Sequence, residues 1–419
     1  KNYLVFMSQY THKKTCRLCS NSDLSLVLSL GKTPLANSFV RSKNDALIQD
    51  LYPLDVFLCE YCGHAQLLDV VDPKQLFDNY LYVSGTSPVF IKHFEDYAKQ
   101  VVSRNKSVDS NLIVDIGSND GTLLSQFKDL NYRILGVDPA INLVSKANSI
   151  GIPTIQGFFT SELAEEIQKT DGSAMVITAN NVFAHADNLD EIIFGVKKLL
   201  DYRGIFVFEV SYLLDVIENL LFDTIYHEHL SYHSLAPLIS FFKKHNMEVF
   251  DVSRIDTHGG SMRCYVQHIN GPHKISKSVS NLIRIEREAN LFSKDTFYLF
   301  EQNIQKLKSD LRKILDKLKG QGKKIVGFGA PAKATTLMYY FNIDSSIIDY
   351  IVDDSELKKN MHTPGYQIPI FGAEKLYIDK PDYILVLAWN FSDSIIEKHQ
   401  RFKKSGGHFI IPLPQIKEI

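Results

Sequence analysis

The chain has 419 residues, 45% of them apolar and 11% aromatic, enough to bury several cores and to form two or three domains. With 46 basic against 48 acidic side chains the formal charge is −2, which excludes the broad basic surface of a nucleic-acid or membrane binder and leaves room for a small charged ligand. The apolar run Tyr3 to Met7 is too short for a secretory h-region and lacks a small-residue cleavage site. No stretch approaches the roughly 18 apolar residues that span a bilayer, so the expected location is cytoplasmic.

Residues 1–78 are rich in turns, carry no long helical period and hold Cys16-x-x-Cys19 and Cys59-x-x-Cys62. Each pair offers two thiolates from a tight knuckle to one tetrahedral ion, and four soft ligands with no open position describe structural zinc. Free cysteines are the bland alternative. Thioredoxin-like chemistry is disfavoured because neither pair follows a strand at a helix start. His64 is a spare ligand, and Cys264 reads as a small core residue. Between the pairs, Asp23, Asp45, Asp50 and Asp55 outnumber Lys32, Arg41 and Lys43, so the zinc segment has no surplus of positive charge for nucleic acid.

From 79 to 286 the apolar runs LIVDIG, YRILGVD, SAMVITAN and GIFVFEV alternate with amphipathic segments, the pattern of a parallel sheet flanked by helices. The first run leads into Asp115-Ile116-Gly117-Ser118-Asn119-Asp120-Gly121, a strand, a glycine turn and a helix start. Asp138 closes the next strand, where a carboxylate can accept bonds from two ribose hydroxyls. The D-x-G-x-x-x-G spacing differs from the G-x-G-x-x-G that cradles a pyrophosphate, and the Asn-containing acidic turn suits the amino acid end of adenosylmethionine. The bland reading is a strand-ending turn with no ligand.

A connecting helix is expected over 287–320, where Phe297, Phe300, Ile304, Leu307, Leu311, Ile314 and Leu318 recur at three- and four-residue steps and Gly320 ends the run. Residues 321–419 restart the alternation with KKIVGFGA, IDYIVDD, DYILVLAW and GHFIIPL, predicting a second, smaller doubly wound domain. Its loop Gly327-Phe328-Gly329-Ala330-Pro331-Ala332-Lys333 fits G-x-G-x-x-A, with Asp353 and Asp354 ending the following strand. Pro331 removes a backbone donor at the helix start and Lys333 adds a charge, so the expected ligand is the diphosphate of a nucleotide, held by Gly329, Ala330 and Lys333. In the bland reading Lys333 is a solvated surface charge.

IVDIGSNDGTLL, ANNVFAHADNL, FDTIYHEHLSYHS, GGSMR and GFGAPAKATTL, taken together with the two Cys pairs, resemble the sugar C-methyltransferase family over nearly the whole chain. The Tyr-His-Glu-His and GxGAPAK elements are the specific part. Ala334 departs from the glycine that similar proteins often carry after the lysine, which touches only local helix packing. The resemblance implies an α/β protein with a small N-terminal zinc-binding domain, a Rossmann-like methyltransferase domain and a second Rossmann-like C-terminal domain. It also implies S-adenosylmethionine and a nucleoside-diphosphate-linked 4-keto-deoxysugar, usually on thymidine diphosphate, methylated next to the ketone, at C-3 by expectation. By the same resemblance His229 takes the proton, Tyr226 and Glu228 support the sugar, His227 is the rival base and His185 orients the sugar or holds the enolate. Asp115, Gly117, Asn119, Asp120, Gly121, Asp138 and Asn180 hold the cofactor. Tyr80 and Tyr82 are lids over cofactor or sugar, or else core aromatics.

The chemistry agrees with such an assignment. A ring carbon becomes nucleophilic only when a proton beside a carbonyl is removed, which calls for a base titrating near neutrality and a donor for the enolate oxygen. His227-x-His229 lacks the H-E-x-x-H spacing of a zinc hydrolase, and taken singly each of these histidines also reads as a loop residue. His258, Gly259 and Gly260 form a glycine turn that approaches the substrate or simply turns. The competing readings are a nicotinamide-dependent oxidoreductase using the C-terminal loop and a sugar O-methyltransferase.

Overall fold

The computed structural model describes residues 10–42, 49–77, 85, 88–105 and 110–419. In the N-terminal module, Leu24–Thr33, Tyr52–Cys59 and Ala65–Leu67 form an antiparallel sheet. Tyr52, Leu54, Val56 and Leu58 alternate inward from its middle strand, the two-residue period of a half-buried sheet. The fourth strand, Ser231–Tyr232, comes from far along the chain and pairs with Ala65–Leu67. The module is therefore completed by the segment that carries Tyr226 to His229.

The middle of the chain is a seven-stranded sheet in the order Met247–Ile255, Ser261–His268, Leu200–Ser211, Ala174–Asn180, Leu112–Ile116, Arg133–Asp138 and Thr154–Gln156. Only Ser261–His268 runs against its neighbours. All five side chains of Leu112–Ile116 are buried, as expected of a strand covered on both faces. Strand order reverses between Leu112–Ile116 and Ala174–Asn180, so the crevice beyond their carboxyl ends is the natural ligand site of the sheet.

The expected connecting helix starts later than 287, at Lys294, and a separate helix precedes it. Lys277–Glu288 ends before a left-handed Asn290 (φ 49°), and Lys294–Gly320 starts anew, with Ser293 accepting the Asp295 amide at 3.2 Å as its cap. The longer helix buries Phe297, Phe300, Ile304, Leu307, Leu311, Leu315 and Leu318, so the stripe turns inward at Leu315 where Ile314 was expected. At about 1.5–3 kcal/mol for each fully buried side chain, this face fixes the helix against strand Leu24–Thr33 and helix Ala332–Phe341.

The C-terminal sheet runs Ile370–Phe371, Ile351–Val352, Ile325–Phe328, Tyr383–Val386, His408–Ile411 and Lys417–Glu418, parallel except for the last strand. One contiguous apolar cluster extends from Cys16 and Leu54 through Phe206 and Phe222 to Phe341 and Phe409, joining all three units. Among the described residues no helix is long and apolar enough to cross a membrane.

Candidate active site

Three left-handed residues in five shape the turn after Leu112–Ile116: Gly117 (φ 67°), Asn119 (φ 53°) and Gly121 (φ 79°). A side chain at Gly117 would overlap Val182, so that position needs glycine for space as well as for backbone conformation. Asp138 draws the turn in by accepting the amides of Asn119 (2.8 Å) and Ala140 (2.9 Å). Asp120 accepts the Thr122 hydroxyl at 2.6 Å and pairs with Lys146 at 3.0 Å. Asp115 is buried beneath, accepts the Thr178 hydroxyl at 2.6 Å, and is pushed up to about 7 by that burial. Asn180, at the end of the adjoining strand, keeps both amide atoms buried without a hydrogen bond of good geometry, the Tyr97 phenol being its polar neighbour. This set fits a ligand with a ribose diol and an amino acid end. Asp138 retains lone pairs beyond the two it uses, and Asn180 presents an unmatched donor and acceptor.

The second cluster lies on the segment from Phe222 to Leu230. His229 Nδ1 is 2.7 Å from the carbonyl of Thr224. A carbonyl can only accept, so Nδ1 carries the proton and Nε2 bears the lone pair. The imidazole is flanked by the Tyr226 ring (centroids 4.1 Å) and the His185 ring (4.9 Å), and Phe77 stacks on His185 at 5.8 Å. His185 Nε2 is buried without a partner, and burial followed by the neighbouring His229 holds this imidazole neutral. Glu228 is buried, with its Oε1 accepting the Asn37 amide at 2.6 Å.

His227 turns the other way. Its Nε2 donates to the Pro53 carbonyl at 3.1 Å, its ring lies edge-on to Tyr52 (5.7 Å), and burial lowers it to about 4. The expected rival base is thus engaged with the N-terminal module, while Tyr226, His229 and His185 are gathered around one point. Tyr80 and Tyr82 lie outside the described residues.

The four cysteines form a third group. Cys16 and Cys62 sulfurs are 3.7 Å apart, Cys19 and Cys59 sulfurs 3.5 Å, and all four lie within 4.8 Å of one another. A tetrahedron of sulfurs at ~2.3 Å from zinc has edges of about 3.8 Å, so the set fits that ion. Both knuckles have the same backbone: Ser20 donates to Cys16 (2.9 Å) as Gly63 does to Cys59 (2.8 Å). His64 is not a fifth ligand; its Nε2 faces the Ser231 hydroxyl at 3.2 Å. Arg17, inside the first knuckle, extends a buried guanidinium to the Gln66 side chain (3.2 Å), the Leu67 carbonyl and the Leu230 carbonyl (3.5 Å), with Nε on Asp187 at 3.1 Å. The metal knuckle thereby touches the residue that follows His229.

The C-terminal loop is already engaged. The Ala330 amide donates to Asp353 at 2.6 Å, the Ala330 carbonyl accepts from Lys358 at 2.7 Å, and Gly329 (φ 85°) abuts Ala388. Lys333 is no solvated surface charge. Its ammonium sits 3.9 Å from the centre of the Trp389 ring, and burial lowers its pKa against the pull of Asp223. Gly259 of the glycine turn packs near Leu221 and Trp389 on the same junction.

Sequence reasoning missed Thr224, Asn37, Arg17, Asp223, Thr336 and Trp389. Asp223 and Thr224 lie inside the FDTIYHEHL string and Arg17 between two ligands, so their placement was visible but their bonding, which crosses domains, was not. Thr336 and Trp389 lie inside the GFGAPAKATTL and DYILVLAW strings but were read there only as part of a motif and a strand; Asn37 carried no signal of its own.

Three family descriptions match consecutive parts of the chain: "Putative zinc binding domain" over residues 16–77, "Methyltransferase domain" over 90–252 and "C-methyltransferase C-terminal domain" over 256–414. The chain is 35% identical over 404 residues to the C-methyltransferase NovU of Streptomyces niveus, covering 96% of each protein. Two solved structures resemble part of it. A magnesium protoporphyrin IX methyltransferase from Synechocystis is 12% identical, with a TM-score of 0.34, 42% of this chain and 83% of that one covered. An S-adenosylmethionine-dependent methyltransferase from Clostridium acetobutylicum is 14% identical, with a TM-score of 0.35 and coverages of 43% and 92%.

Proposed function

The chain belongs to the C-methyltransferase family, with S-adenosylmethionine and zinc as its cofactors, and from that premise we propose that it methylates a ring carbon of a nucleoside-diphosphate-linked 4-keto-deoxysugar, C-3 beside the ketone. The observation that carries this reading is the His229 imidazole. With Nδ1–H held by the Thr224 carbonyl, Nε2 is a fixed acceptor beside two aromatic rings, which is what abstraction of a weakly acidic C–H requires.

His229 Nε2 takes the proton from the ring carbon, and the C–H electron pair moves into a carbon–carbon double bond as the ketone becomes an enolate. Tyr226 supplies a phenol, and His185 a neutral imidazole kept uncharged by burial, to bond the developing oxyanion. Glu228 supports a sugar hydroxyl and is itself steadied by Asn37. Asp138 and Asn180, with the turn of Gly117, Asn119, Asp120 and Gly121, would hold the cofactor. Bound S-adenosylmethionine would supply an electrophilic methyl group to the enolate carbon, with S-adenosylhomocysteine as the leaving group. Asp115 sits under the turn and braces it through Thr178.

The test is incubation of the full chain with S-adenosylmethionine and a thymidine-diphosphate-linked 4-keto-6-deoxysugar. The expected product is heavier by one methyl, bonded to carbon by NMR. A methyl on oxygen, or reduction of the ketone by a nicotinamide, would replace this reading. His229→Asn should keep the affinity for S-adenosylmethionine and lose about 10²- to 10⁴-fold in turnover, together with solvent deuterium exchange into the ring.

A further inference from the structure

The C-terminal sheet reverses its strand order between Ile325–Phe328 and Tyr383–Val386, and in such sheets a ligand sits in the crevice beyond the reversal. Here the helix start on one side carries Lys333 and the short turn on the other carries Trp389, with the ammonium 3.9 Å from the ring centre. Asp223 of the middle domain enters that space. Its carboxylate accepts the Trp389 indole N–H at 2.6 Å and lies in the field of the Lys333 ammonium, fully shielded from water. One helical turn further on, the buried Thr336 hydroxyl donates to the Ile225 carbonyl at 2.8 Å. The two bonds bracket Thr224 in the sequence. Thr224 directs its own hydroxyl to Leu221 (2.8 Å) and offers its carbonyl to His229 Nδ1 (2.7 Å).

We propose that the C-terminal crevice grips the chain's own Asp223 where a related sheet would hold a diffusible anion, and that Trp389 and Thr336 are positioning residues that hold the Thr224 carbonyl and through it the His229 tautomer. The inference rests on reading His229 as the base. It makes the C-terminal domain a clamp on the catalytic segment: loss of either bond frees one side of Thr224, and a reacting group displaced by about 1 Å loses on the order of a hundredfold in rate.

Thr336→Val keeps shape and removes the donor; Thr336→Ser restores it. Trp389→Phe removes the indole N–H and keeps an aromatic ring for Lys333. The primary readout is the 15N spectrum of full-length protein labelled in histidine, with His229 identified by its loss in His229→Asn. The native protein should show Nδ1–H with an unprotonated Nε2, Thr336→Val and Trp389→Phe a shift toward the other tautomer, and Thr336→Ser the native pattern. With the keto-sugar, kcat should fall roughly ten- to a hundredfold in Thr336→Val, with KM and methyl-donor affinity within about twofold. Because the spectrum needs no substrate, it decides the matter even if the sugar proves to be the wrong one. Unchanged His229 signals in both Thr336→Val and Trp389→Phe overturn the proposal, whether or not their melting temperatures fall.

Discussion

Arg17→Met tests whether the zinc knuckle supports the segment that carries His229. The Arg17 side chain is fully buried, and the substitution keeps most of its apolar stem while deleting the guanidinium. Two charge-assisted bonds to buried acceptors disappear, to Gln66 and to the Leu67 carbonyl, each worth about 1.5–3 kcal/mol. Gln66 is not orphaned, because it still accepts the Arg17 backbone amide at 3.1 Å, and the Leu230 carbonyl keeps the Leu67 amide at 2.9 Å. The Asp187 pairing contributes less than about 1 kcal/mol, its carboxylate being one-third exposed. Relief of the desolvation that lowers the Arg17 pKa works in the opposite direction. The net expectation is a loss of about 2–4 kcal/mol in urea unfolding of the zinc-loaded protein, with turnover falling further than methyl-donor affinity. Arg17→Lys should recover only part, since an ammonium cannot reproduce the planar fork. A change below about 0.5 kcal/mol with native turnover would show that the knuckle does not support the Leu230 end.

Asp115→Asn should flatten the pH dependence of stability. Burial raises the carboxyl from 3.8 to about 7, so the folded protein retains a proton that the unfolded chain releases, and native stability declines as pH rises from about 4 to about 7. At about 1.4 kcal/mol per unit the cost is about 1.5 kcal/mol at pH 5 and reaches about 4 kcal/mol by pH 8, and urea titrations should show the variant's gain larger at pH 8 than at pH 5 by about 2–3 kcal/mol. Gly117→Ala should weaken methyl-donor binding by calorimetry at least tenfold and cost about 1–3 kcal/mol, because the new methyl meets Val182 at a left-handed position; native affinity would exclude a close backbone approach there. Removal of zinc by a chelator should raise hydrogen exchange in residues 52–67 and 222–232 together, because Ser231–Tyr232 pairs with Ala65–Leu67, while the 112–138 segment stays protected. Exchange confined to the knuckles would contradict that coupling.

The repeated strand units were legible because a buried parallel strand leaves a run of apolar residues that needs no partner to be seen. LIVDIG, SAMVITAN and DYILVLAW became Leu112–Ile116, Ala174–Asn180 and Tyr383–Val386. The zinc set was legible for a similar reason, two local knuckles with fixed spacing. The connecting helix was overextended because apolar periodicity continues through residues 288–293, where a left-handed Asn290 and the Ser293 cap break the backbone without breaking the pattern. Tyr226 to His229 could be read as a chemical string, yet not which imidazole would turn toward Tyr226 and His185 and which toward Pro53. Alternation in a four-residue loop has no period, and the choice is made by two carbonyls, Thr224 five residues before His229 and Pro53 far away in the N-terminal module, whose bonding no local pattern announces.

With His229 in its proposed role, those two carbonyls also explain why three units are needed to hold one imidazole. A loop as short as Phe222 to Leu230 has too few internal hydrogen bonds to hold an imidazole rigidly. Its fixity has to come from outside, where each donor belongs to an element already packed into a core. At one end Trp389 and Thr336 provide it; at the other, Arg17 and the strand pairing with Ala65–Leu67; from beneath, His227 itself becomes an anchor on Pro53. The zinc module and the C-terminal domain then need not touch the reacting atoms to matter for the reaction, and a chain shortened to the sheet between Leu112 and His268 would keep the cofactor turn while leaving His229 on an unsupported loop.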